Sequence, residues 1–301
     1  MTVTEQQNSR IQIDLASLIN LGGQAARLKL KRHHKPASLT GQYLSPHKGR
    51  GMVFEETRPY QAGDDVRHID WRVTARTGQT HSKLFREERE TPVMISVDYR
   101  LSMQFATRGV FKSVQAARLA GLLAWTALHE DERVGGQIFT DNGYQIVKPQ
   151  AGRAALLHFL QALVSPKLHQ TQQTLTLADQ LLRLRRYAHP GTRVYLISDF
   201  RGFNAESERQ IRELSRHCEL SLIQVFDPLE ASLPKQGYYR FTDGQNFRLI
   251  QTADSALRQR YAQRFQSHQH QLQELCRKLQ ISWQNFATHQ IMDTTSLNLR
   301  P

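Results

Sequence analysis

The sequence predicts an α/β protein built on a doubly wound, mostly parallel sheet, and three observations indicate this class. From residue 92 onward, short apolar runs alternate with longer helical stretches, as in proteins that wrap helices around a parallel sheet. The apolar runs are nearly continuous, which is typical of strands covered on both faces. Two of them end directly in an aspartate, Asp98 and Asp199. Open α/β sheets place their binding sites at such carboxyl ends of strands.

The elements can be placed in order along the chain. Apolar residues at helical spacing begin at Ile11, break at Gly22-Gly23 and give way to a basic helical turn. Residues 41–91 are punctuated by glycine and proline and carry only short β-like pieces. After them the pattern predicts strands at 93–97, 134–139, 144–147, 193–198, 219–225 and 281–286, helices at 112–130, 151–164, 175–187, 205–217 and 253–279, and a hairpin at 238–251 around Asp243-Gly244. The predicted division is an N-terminal helical basic segment (1–40), a charged module with short strands (41–91) and an α/β domain (92–301).

Composition limits the classes of function. No window approaches the roughly 20 apolar residues that cross a bilayer, and the polar start lacks the apolar segment of a secretory signal. The two cysteines, Cys218 and Cys276, form no metal or redox motif, so we expect a cytoplasmic protein. The net charge of +13 makes a nucleic acid or an anionic membrane surface a conceivable partner. Because no zinc-finger spacing or aromatic RNA motif accompanies that charge, nucleic-acid binding ranks as an alternative.

The strongest candidate site combines Asp98, Ser102 and Asp199. Both aspartates directly follow apolar strands, so we expect them at the same edge of the sheet. Two carboxylates and a hydroxyl are hard oxygen ligands that suit Mg²⁺. The alternative is that each residue caps the helix that follows it, because Ser and Asp are favoured at helix N-termini.

A second cluster of carboxylates lies in the charged module. Asp64, Asp65 and Asp70 could hold two divalent ions in a metal-dependent hydrolase. Arginines are interleaved closely enough to neutralise them, at Arg67, Arg72 and Arg76. We therefore rank a charge-paired docking surface above the hydrolase. Trp71 is interpreted as a packed anchor or an interface residue, because Trp and Arg are enriched at binding hot spots. The sequence contains no Walker motif and no Gly-x-Ser-x-Gly nucleophile motif.

Two sets of motifs resemble known families. The loop Asp98-Tyr99-Arg100-Leu101-Ser102 resembles the Asp-x-Ser-x-Ser loop of von Willebrand factor A domains, and Ser198-Asp199 resembles the Thr/Ser-Asp after their fourth strand. Over about Tyr43 to Asp227, the chain is similar to the bacterial family called domain-of-unknown-function fifty-eight. That resemblance is carried by Gly49-Arg50-Gly51, Phe54-Glu55-Glu56, Arg58-Pro59-Tyr60, Gly63-Asp64-Asp65, Arg67, Ile69-Asp70-Trp71 and Ala75-Arg76.

The resemblance implies a von Willebrand factor A-like domain that is usually encoded beside a MoxR-type AAA+ ATPase. It implies an adaptor or co-chaperone of that ATPase, with no established catalytic activity. It also implies a magnesium site completed by a threonine, for which both Thr174 and Thr176 are candidates. One departure matters, because Arg100 stands where the family has the first serine. An arginine would compete with Mg²⁺ for the carboxylates.

Two arrangements of Arg100 therefore stay open. It points away and Mg²⁺ binds, or it pairs with Asp98 or Asp199 and replaces the ion, and we favour a weakened or absent metal site. The hypothesis from the sequence is a non-enzymatic protein-binding adaptor. The residues expected to contact its partner are Arg100 at the sheet edge and, in the charged module, Arg58, Tyr60, Asp64, Asp65, Arg67, Asp70, Trp71 and Arg76.

Overall fold

The computed structural model describes residues 9–28, 52–87, 91–242 and 247–290. The chain divides into two compact units, one formed by residues 1–33 with 91–301 and the other by residues 34–90. The sequence division had set residues 1–40 apart from the α/β domain, whereas the structure groups the N-terminal helices with it. Residues 29–35 of the basic run and the turn at Asp243-Gly244 lie outside the described residues.

The N-terminal helices belong to the first unit because they bury apolar side chains in its core. Helix α1 (Leu15–Asn20) begins at Asp14, whose carboxylate accepts a hydrogen bond from Ser17 N at 2.7 Å. Leu18 is fully buried, and its carbonyl accepts a hydrogen bond from Trp125 Nε1 at 3.0 Å. The short helix α2 (Gly22–Ala25) follows directly. The segment is thus one face of the core, and its basic composition did not reveal this.

The second unit is built on a β-ribbon. Strand β1 (Met52–Pro59) pairs antiparallel with β2 (His81–Glu87), with a bulge between residues 54 and 56. A 3-10 turn (Val66–His68) and helix α3 (Trp71–Thr77) connect the two strands. Helix α3 ends at Gly78, whose φ of 72° is left-handed and therefore favours glycine. The predicted short strands are present, joined by a helix that the sequence pattern did not indicate.

The remaining elements alternate strand and helix. The first half comprises β3 (Pro92–Asp98), α4 (Lys112–His129), β4 (Arg133–Phe139), β5 (Gly143–Gln150), α5 (Arg153–Val164), β6 (His169–Gln170), α6 (Leu177–Tyr187) and β7 (Arg193–Ser198). The second half comprises α7 (Ala205–His217), β8 (Glu219–Phe226), α8 (Pro228–Ala231), β9 (Tyr238–Thr242), β10 (Phe247–Gln251), α9 (Ser255–Leu279) and β11 (Ser282–Ala287).

Seven strands form the main sheet in the order β11-β8-β7-β3-β4-β5-β6. The five strands from β11 to β4 are parallel, and β5 and β6 extend the sheet antiparallel. Strand β5 runs antiparallel because only a tight turn at Asn142-Gly143 separates it from β4. Strands β9 and β10 pair only with each other among the described residues. The predicted α/β class with a mostly parallel sheet is confirmed.

Helices cover both faces of this sheet, each over its own apolar cluster. On one face, side chains such as Ile95 pack with Leu119, Leu123 and Phe159 from α4 and α5. On the other, Met94 packs with residues of α6, α7 and α9, among them Leu181, Leu184, Ile211, Leu214 and Leu272. Neighbouring residues of β3 thus point to opposite faces, which explains its continuous apolar sequence. No helix in the described ranges is both long and apolar enough to cross a membrane.

Candidate functional site at the carboxyl edge of the sheet

The carboxyl edge of the sheet brings the two predicted aspartates together. Asp98 ends β3 and Asp199 directly follows β7, and the two strands are hydrogen-bonded neighbours in which Val97 pairs with Ile197. Asp98 is fully buried and Asp199 is only 7% exposed. Two carboxylates this deeply buried need cationic or hydrogen-bonding partners, since an unpaired buried charge is strongly unfavourable.

Arg100 supplies the partner of Asp98. Its backbone N–H donates to Oδ1 at 2.9 Å, and its guanidinium approaches the same carboxylate through Nε at 3.1 Å and through Nη2 at 2.7 Å. Ser198 adds a fourth donor, with its Oγ 2.6 Å from Asp98 Oδ2. Arg100 Nη2 also lies 3.9 Å from Asp199 Oδ1. Of the two arrangements left open by the sequence, the structure has Arg100 turned inward onto the carboxylates.

Lys112 supplies the partner of Asp199, and the sequence analysis missed it. Its Nζ lies 2.9 Å from Asp199 Oδ2 and 2.6 Å from Glu230 Oε1, and the side chain is fully buried. Arg201 N donates to Asp199 Oδ1 at 2.9 Å. Lys112 is the first residue of α4, a helix end at which a cation is normally unfavourable. A lysine at this helix position was therefore the signal in the sequence that its side chain pairs with carboxylates of other elements.

These contacts do not fit a bound Mg²⁺. The ion needs near-octahedral oxygen ligands at about 2.0–2.1 Å. All four carboxylate oxygens of Asp98 and Asp199 already accept hydrogen bonds from backbone N–H groups, cations or Ser198. Arg100 and Lys112 bring two positive charges to the place where the ion would lie. Across the described ranges, no three His, Cys, Asp or Glu side chains are placed to hold a metal.

The other predicted ligands take different positions. Ser102 lies half-buried in a 3-10 turn (Leu101–Met103) beside the carboxylates. Thr176 is the N-cap of α6, where its hydroxyl is 2.7 Å from Asp179 Oδ2 and accepts the Asp179 N–H at 3.2 Å. This reciprocal capping box accounts for Thr176 without a metal. Thr174 is exposed in the preceding loop.

The environment shifts the acidities of the buried groups in different directions. Burial raises the pKa of Asp98 above its ordinary value, and the ion pair with Arg100 offsets only part of this. Burial also acts to raise the pKa of Asp199, but Lys112 outweighs it and the pKa falls below the ordinary value. Burial raises the pKa of Glu230, again against the attraction of Lys112. Lys112 itself has a raised pKa, because Asp199 and Glu230 outweigh the effect of its burial.

Asp141 completes the edge from the neighbouring strand. It lies in the turn after β4, and its Oδ2 accepts a hydrogen bond from Leu101 N at 2.7 Å. The contact fixes the loop that carries Arg100. An open cleft of about 1250 Å³ adjoins Arg100, Ser102, Asp141 and Asp199. The candidate site is therefore a rigid, ion-paired edge, called the rim below (Asp98, Arg100, Lys112, Asp141, Asp199 and Glu230), facing a cleft.

In the second unit, the clustered aspartates are engaged separately. Arg58 Nη2 lies 2.7 Å from Asp64 Oδ1, and the Tyr60 hydroxyl donates to the Asp64 carbonyl at 3.2 Å. Asp65 caps the 3-10 turn through the Arg67 N–H at 2.9 Å. Asp70 caps α3, accepting the Arg72 and Val73 N–H groups at 3.1 and 3.2 Å. Each carboxylate has a local structural role, so these contacts give the hydrolase alternative no support.

The position of Trp71 does not agree with its interpretation as a packed anchor. Its side chain is 70% exposed, so it is not a packed anchor. Arg67 and Arg76 are exposed as well. Val66 is 63% exposed. Because Trp and Arg are enriched at protein interfaces, the partner-binding interpretation of these exposed residues stays a prediction.

The positive charge of the protein is widely distributed. On α7, Arg209, Arg212 and Arg216 each lie within 2.9 Å of a glutamate one turn away, as does Arg277 on α9. These four arginines of α7 and α9 are therefore neutralised within their own helices.

A sequence model of the family described as protein of unknown function DUF58 matches residues 56–271. The match covers more than half of the chain and reaches into both units. The chain belongs to the DUF58 family. Similar proteins include the uncharacterized protein Rv1480 of Mycobacterium tuberculosis and the uncharacterized protein Mb1516 of Mycobacterium bovis. Each is 29% identical to this DUF58 chain over 231 residues, which are 76% of the chain and 73% of the relative.

Solved structures of related architecture share little sequence with this DUF58 chain. BatB from Bacteroides thetaiotaomicron is 18% identical with a TM-score of 0.40, and the match covers 63% of this chain and 98% of BatB. An aerotolerance-related membrane protein from Bacteroides fragilis is 17% identical with a TM-score of 0.43, over 68% and 94% of the two chains. A von Willebrand factor type A protein from Catenulispora acidiphila is 12% identical with a TM-score of 0.33, over 48% and 35%. Such distant likenesses carry no functional argument.

Proposed function

We propose that this DUF58 protein works in the cytoplasm as a non-enzymatic adaptor that docks a partner protein at the rim, and that its first partner is a MoxR-type AAA+ ATPase. The observation that carries the proposal is the state of the rim carboxylates. Every carboxylate oxygen of Asp98 and Asp199 already accepts a hydrogen bond from Arg100, Lys112, Ser198 or a backbone N–H, and two cations lie beside them. A site whose charges are fixed in this way is suited to recognition.

Arg100 offers the partner a docking point. Its Nε and Nη2 are held by Asp98, whereas its Nη1 has no hydrogen-bond partner among the described residues. The guanidinium is about one-tenth exposed and lines the cleft. A partner carboxylate there would form a charge-assisted hydrogen bond with an already oriented donor. Because Asp98 already holds the arginine in one conformation, little conformational entropy is lost when a partner binds, and this favours affinity.

Leu101 adds an apolar contact beside it. Its side chain is 59% exposed, although its backbone is fixed by Asp141. An exposed leucine on a rigid turn next to an arginine combines the apolar and cationic anchors of protein interfaces. The choice of an ATPase as the partner rests on the family resemblance, since no contact of this chain specifies a nucleotide-binding protein.

The test is direct binding between this protein and the purified MoxR-type ATPase encoded in the same genome, measured by isothermal titration calorimetry. Leu101→Glu places a negative charge on the docking surface and should weaken binding at least about tenfold, or about 1.4 kcal/mol. Tyr187→Glu is the matched control, because Tyr187 is also exposed but ends α6 at the opposite edge of the sheet. Absence of binding by the wild type, or equal affinity of Leu101→Glu, would refute the proposal.

Asp98→Ala is not a clean probe of docking. Asp98 is inaccessible, and its removal would leave the buried Arg100 guanidinium without its carboxylate. Breaking a buried pair in this way destabilises a fold by about 3–5 kcal/mol. A loss of binding in that variant would therefore report unfolding as much as recognition.

A further inference from the structure

The cleft beside the rim has an aromatic floor. It lies between the rim, the end of β8, helix α9 and the β9–β10 hairpin. Phe226 from β8 and Phe265 from α9 face each other with ring centroids 5.4 Å apart. Phe203, Tyr261 and the 61% exposed Phe247 line the same space. An open surface of this kind can bury aromatic or aliphatic side chains of a ligand.

The most exposed charged side chains of the cleft are two arginines. The carboxylates of the cleft are already engaged, because Lys112 binds Asp199 and Glu230 and the Leu101 N–H binds Asp141. Arg201 and Arg264 also line the cleft, and both are exposed. Neither side chain forms an ion pair within the described part of the chain. Two free guanidinium groups therefore stand over an aromatic floor, and they select for a ligand that carries carboxylates.

A buried nitrogen in the cleft wall also lacks a partner. His268 Nε2 is inaccessible to solvent in the free protein and has no hydrogen bond to any described residue. His268 belongs to the cleft lining, one helical turn beyond Arg264. Buried polar atoms are nearly always hydrogen-bonded, so an orphaned one indicates a missing partner. A polar group of a bound segment could pair with this nitrogen only after the His268 side chain turns toward the cleft.

We infer that this cleft binds an extended acidic peptide segment that carries aromatic or aliphatic side chains. Glutamate or aspartate side chains of the segment pair with Arg201 and Arg264, and its apolar side chains pack on Phe226 and Phe265. Successive side chains of an extended segment alternate in direction, so acidic and apolar residues can face the arginines and the floor in turn. The inference rests on the proposed function, since the rim forms one wall of the cleft, and it names the chemistry of the partner's segment.

A peptide fits this cleft better than a single-stranded nucleic acid. Aromatic floors and arginines are also used to bind nucleic acids. The two exposed arginines are too few for the several phosphate contacts that sustain such binding.

The test is fluorescence anisotropy with a labelled decapeptide of glutamate, phenylalanine and serine. Two control peptides replace every glutamate by lysine or every phenylalanine by serine, and both should bind at least about tenfold more weakly, as expected from losing charge-assisted bonds or apolar burial. Arg201→Gln with Arg264→Gln should weaken binding of the first peptide at least about tenfold. Arg185→Gln with Arg186→Gln removes the same charge from exposed positions on α6 and should leave the affinity unchanged.

Three results would overturn the inference: no binding of the acidic peptide, equal binding of the lysine peptide, or displacement of the peptide by oligothymidylate at a lower concentration than by unlabelled peptide. Thermal unfolding of each variant checks whether the cleft variants remain folded. Failure of the inference and of the proposed function can be told apart. If the ATPase binds and Leu101→Glu weakens that binding, but the peptide does not bind, the adaptor proposal stands and the peptide-binding inference is wrong. If the peptide binds but the ATPase does not, the peptide-binding inference stands and the adaptor proposal is wrong.

Discussion

Both edges of the sheet hold clustered carboxylates beside buried cations, but the two clusters differ in their exposure to solvent. At the carboxyl edge, Arg100 and Lys112 pair with Asp98 and Asp199, whose side chains are 0% and 6% exposed. At the amino edge, Arg193 alone lies within 3.9 Å of three glutamates, Glu130, Glu132 and Glu219. Two of those glutamates are partly exposed, Glu130 to 20% and Glu219 to 25%.

The difference lies in the role of water. Partly exposed glutamates at the amino edge can be solvated when an ion pair is lost. A substitution that removes such a pair should therefore cost little stability. At the carboxyl edge water has little access to Asp98 and Asp199, so it cannot replace Arg100 or Lys112 as their partner. Loss of a cation there should therefore destabilise the fold more than loss of Arg193 at the amino edge.

Arg100→Met should be the most damaging single change. It leaves the fully buried Asp98 with only Ser198 and a backbone N–H as donors, and we expect a loss of about 3–5 kcal/mol in the free energy of unfolding. Urea denaturation followed by circular dichroism measures it. Asp98→Asn combined with Arg100→Met removes the unpaired charge and should recover part of the loss. A loss below about 1 kcal/mol for the single variant would mean that water reaches Asp98, and the contrast would fail.

Arg193→Met should cost less, although Arg193 is itself only 2% exposed. Glu130 and Glu219 can turn toward solvent, and the buried Glu132 keeps the Thr91 N–H as a donor. The expected loss is therefore that of an unsatisfied polar group, about 1–3 kcal/mol. The same urea experiment measures it beside Arg100→Met. If Arg193→Met proves equally or more destabilising, the amino edge is as dependent on its ion pairs as the rim.

Asp227→Asn tests how pH acts on the carboxyl edge. Asp227 accepts hydrogen bonds from the Thr107 backbone and hydroxyl, Leu229 N and the Thr288 hydroxyl. Burial opposes ionisation, but these bonds hold the pKa of Asp227 below its ordinary value of 3.8. Its stabilisation is therefore present above that value and is lost as the pH falls through the lower pKa of the folded state.

The expected difference in unfolding free energy between wild type and Asp227→Asn is about 1–3 kcal/mol at pH 7. It should shrink steadily below pH 3.8. Urea denaturation at a series of pH values gives this difference directly. A difference that does not change with pH would show that ionisation of Asp227 contributes nothing to stability.

Thr176→Ala separates a helix cap from a metal ligand. Loss of the capping box with Asp179 should lower the unfolding free energy by about 1 kcal/mol. Thr176→Ser keeps the hydroxyl and serves as the control. If the destabilisation appears only when Mg²⁺ is present, Thr176 acts as a ligand and the capping interpretation is wrong.

Mg²⁺ itself should have the smallest effect, a shift of zero in the melting temperature. A ligand that binds only the folded state at one hundred times its dissociation constant would add about 2.7 kcal/mol. Differential scanning fluorimetry with and without Mg²⁺ detects such a gain. Arg100→Ser restores the hydroxyl of the Asp-x-Ser-x-Ser pattern, and the same titration on it shows whether the arginine alone keeps the ion out. Stabilisation of the wild type by Mg²⁺ would show that Arg100 and Lys112 do not exclude the ion from the rim.

The sequence was most informative where the determinant is local. Continuous apolar runs followed by aspartate were enough to predict the parallel sheet and the joint placement of Asp98 and Asp199. The partners Lys112 and Glu230 could not be predicted, because Lys112 is 87 residues from Asp199 and 118 from Glu230. Only the folded topology brings them together. The spacing around Leu18 predicted a helix, but periodicity carries no information on which domain that helix covers.

The position of β11 at the edge of the main sheet has a consequence for biosynthesis. Strand β11 pairs with β8, and Thr288 just beyond it reaches Asp227, which also binds Thr107. During translation, β8 emerges well before β11, with the 25-residue helix α9 between them. Until residue 287 leaves the ribosome, the outer edge of β8 has no neighbour, and an open edge of a parallel sheet invites pairing with other chains. A nascent chain whose β11 has not yet docked would therefore expose this edge of β8.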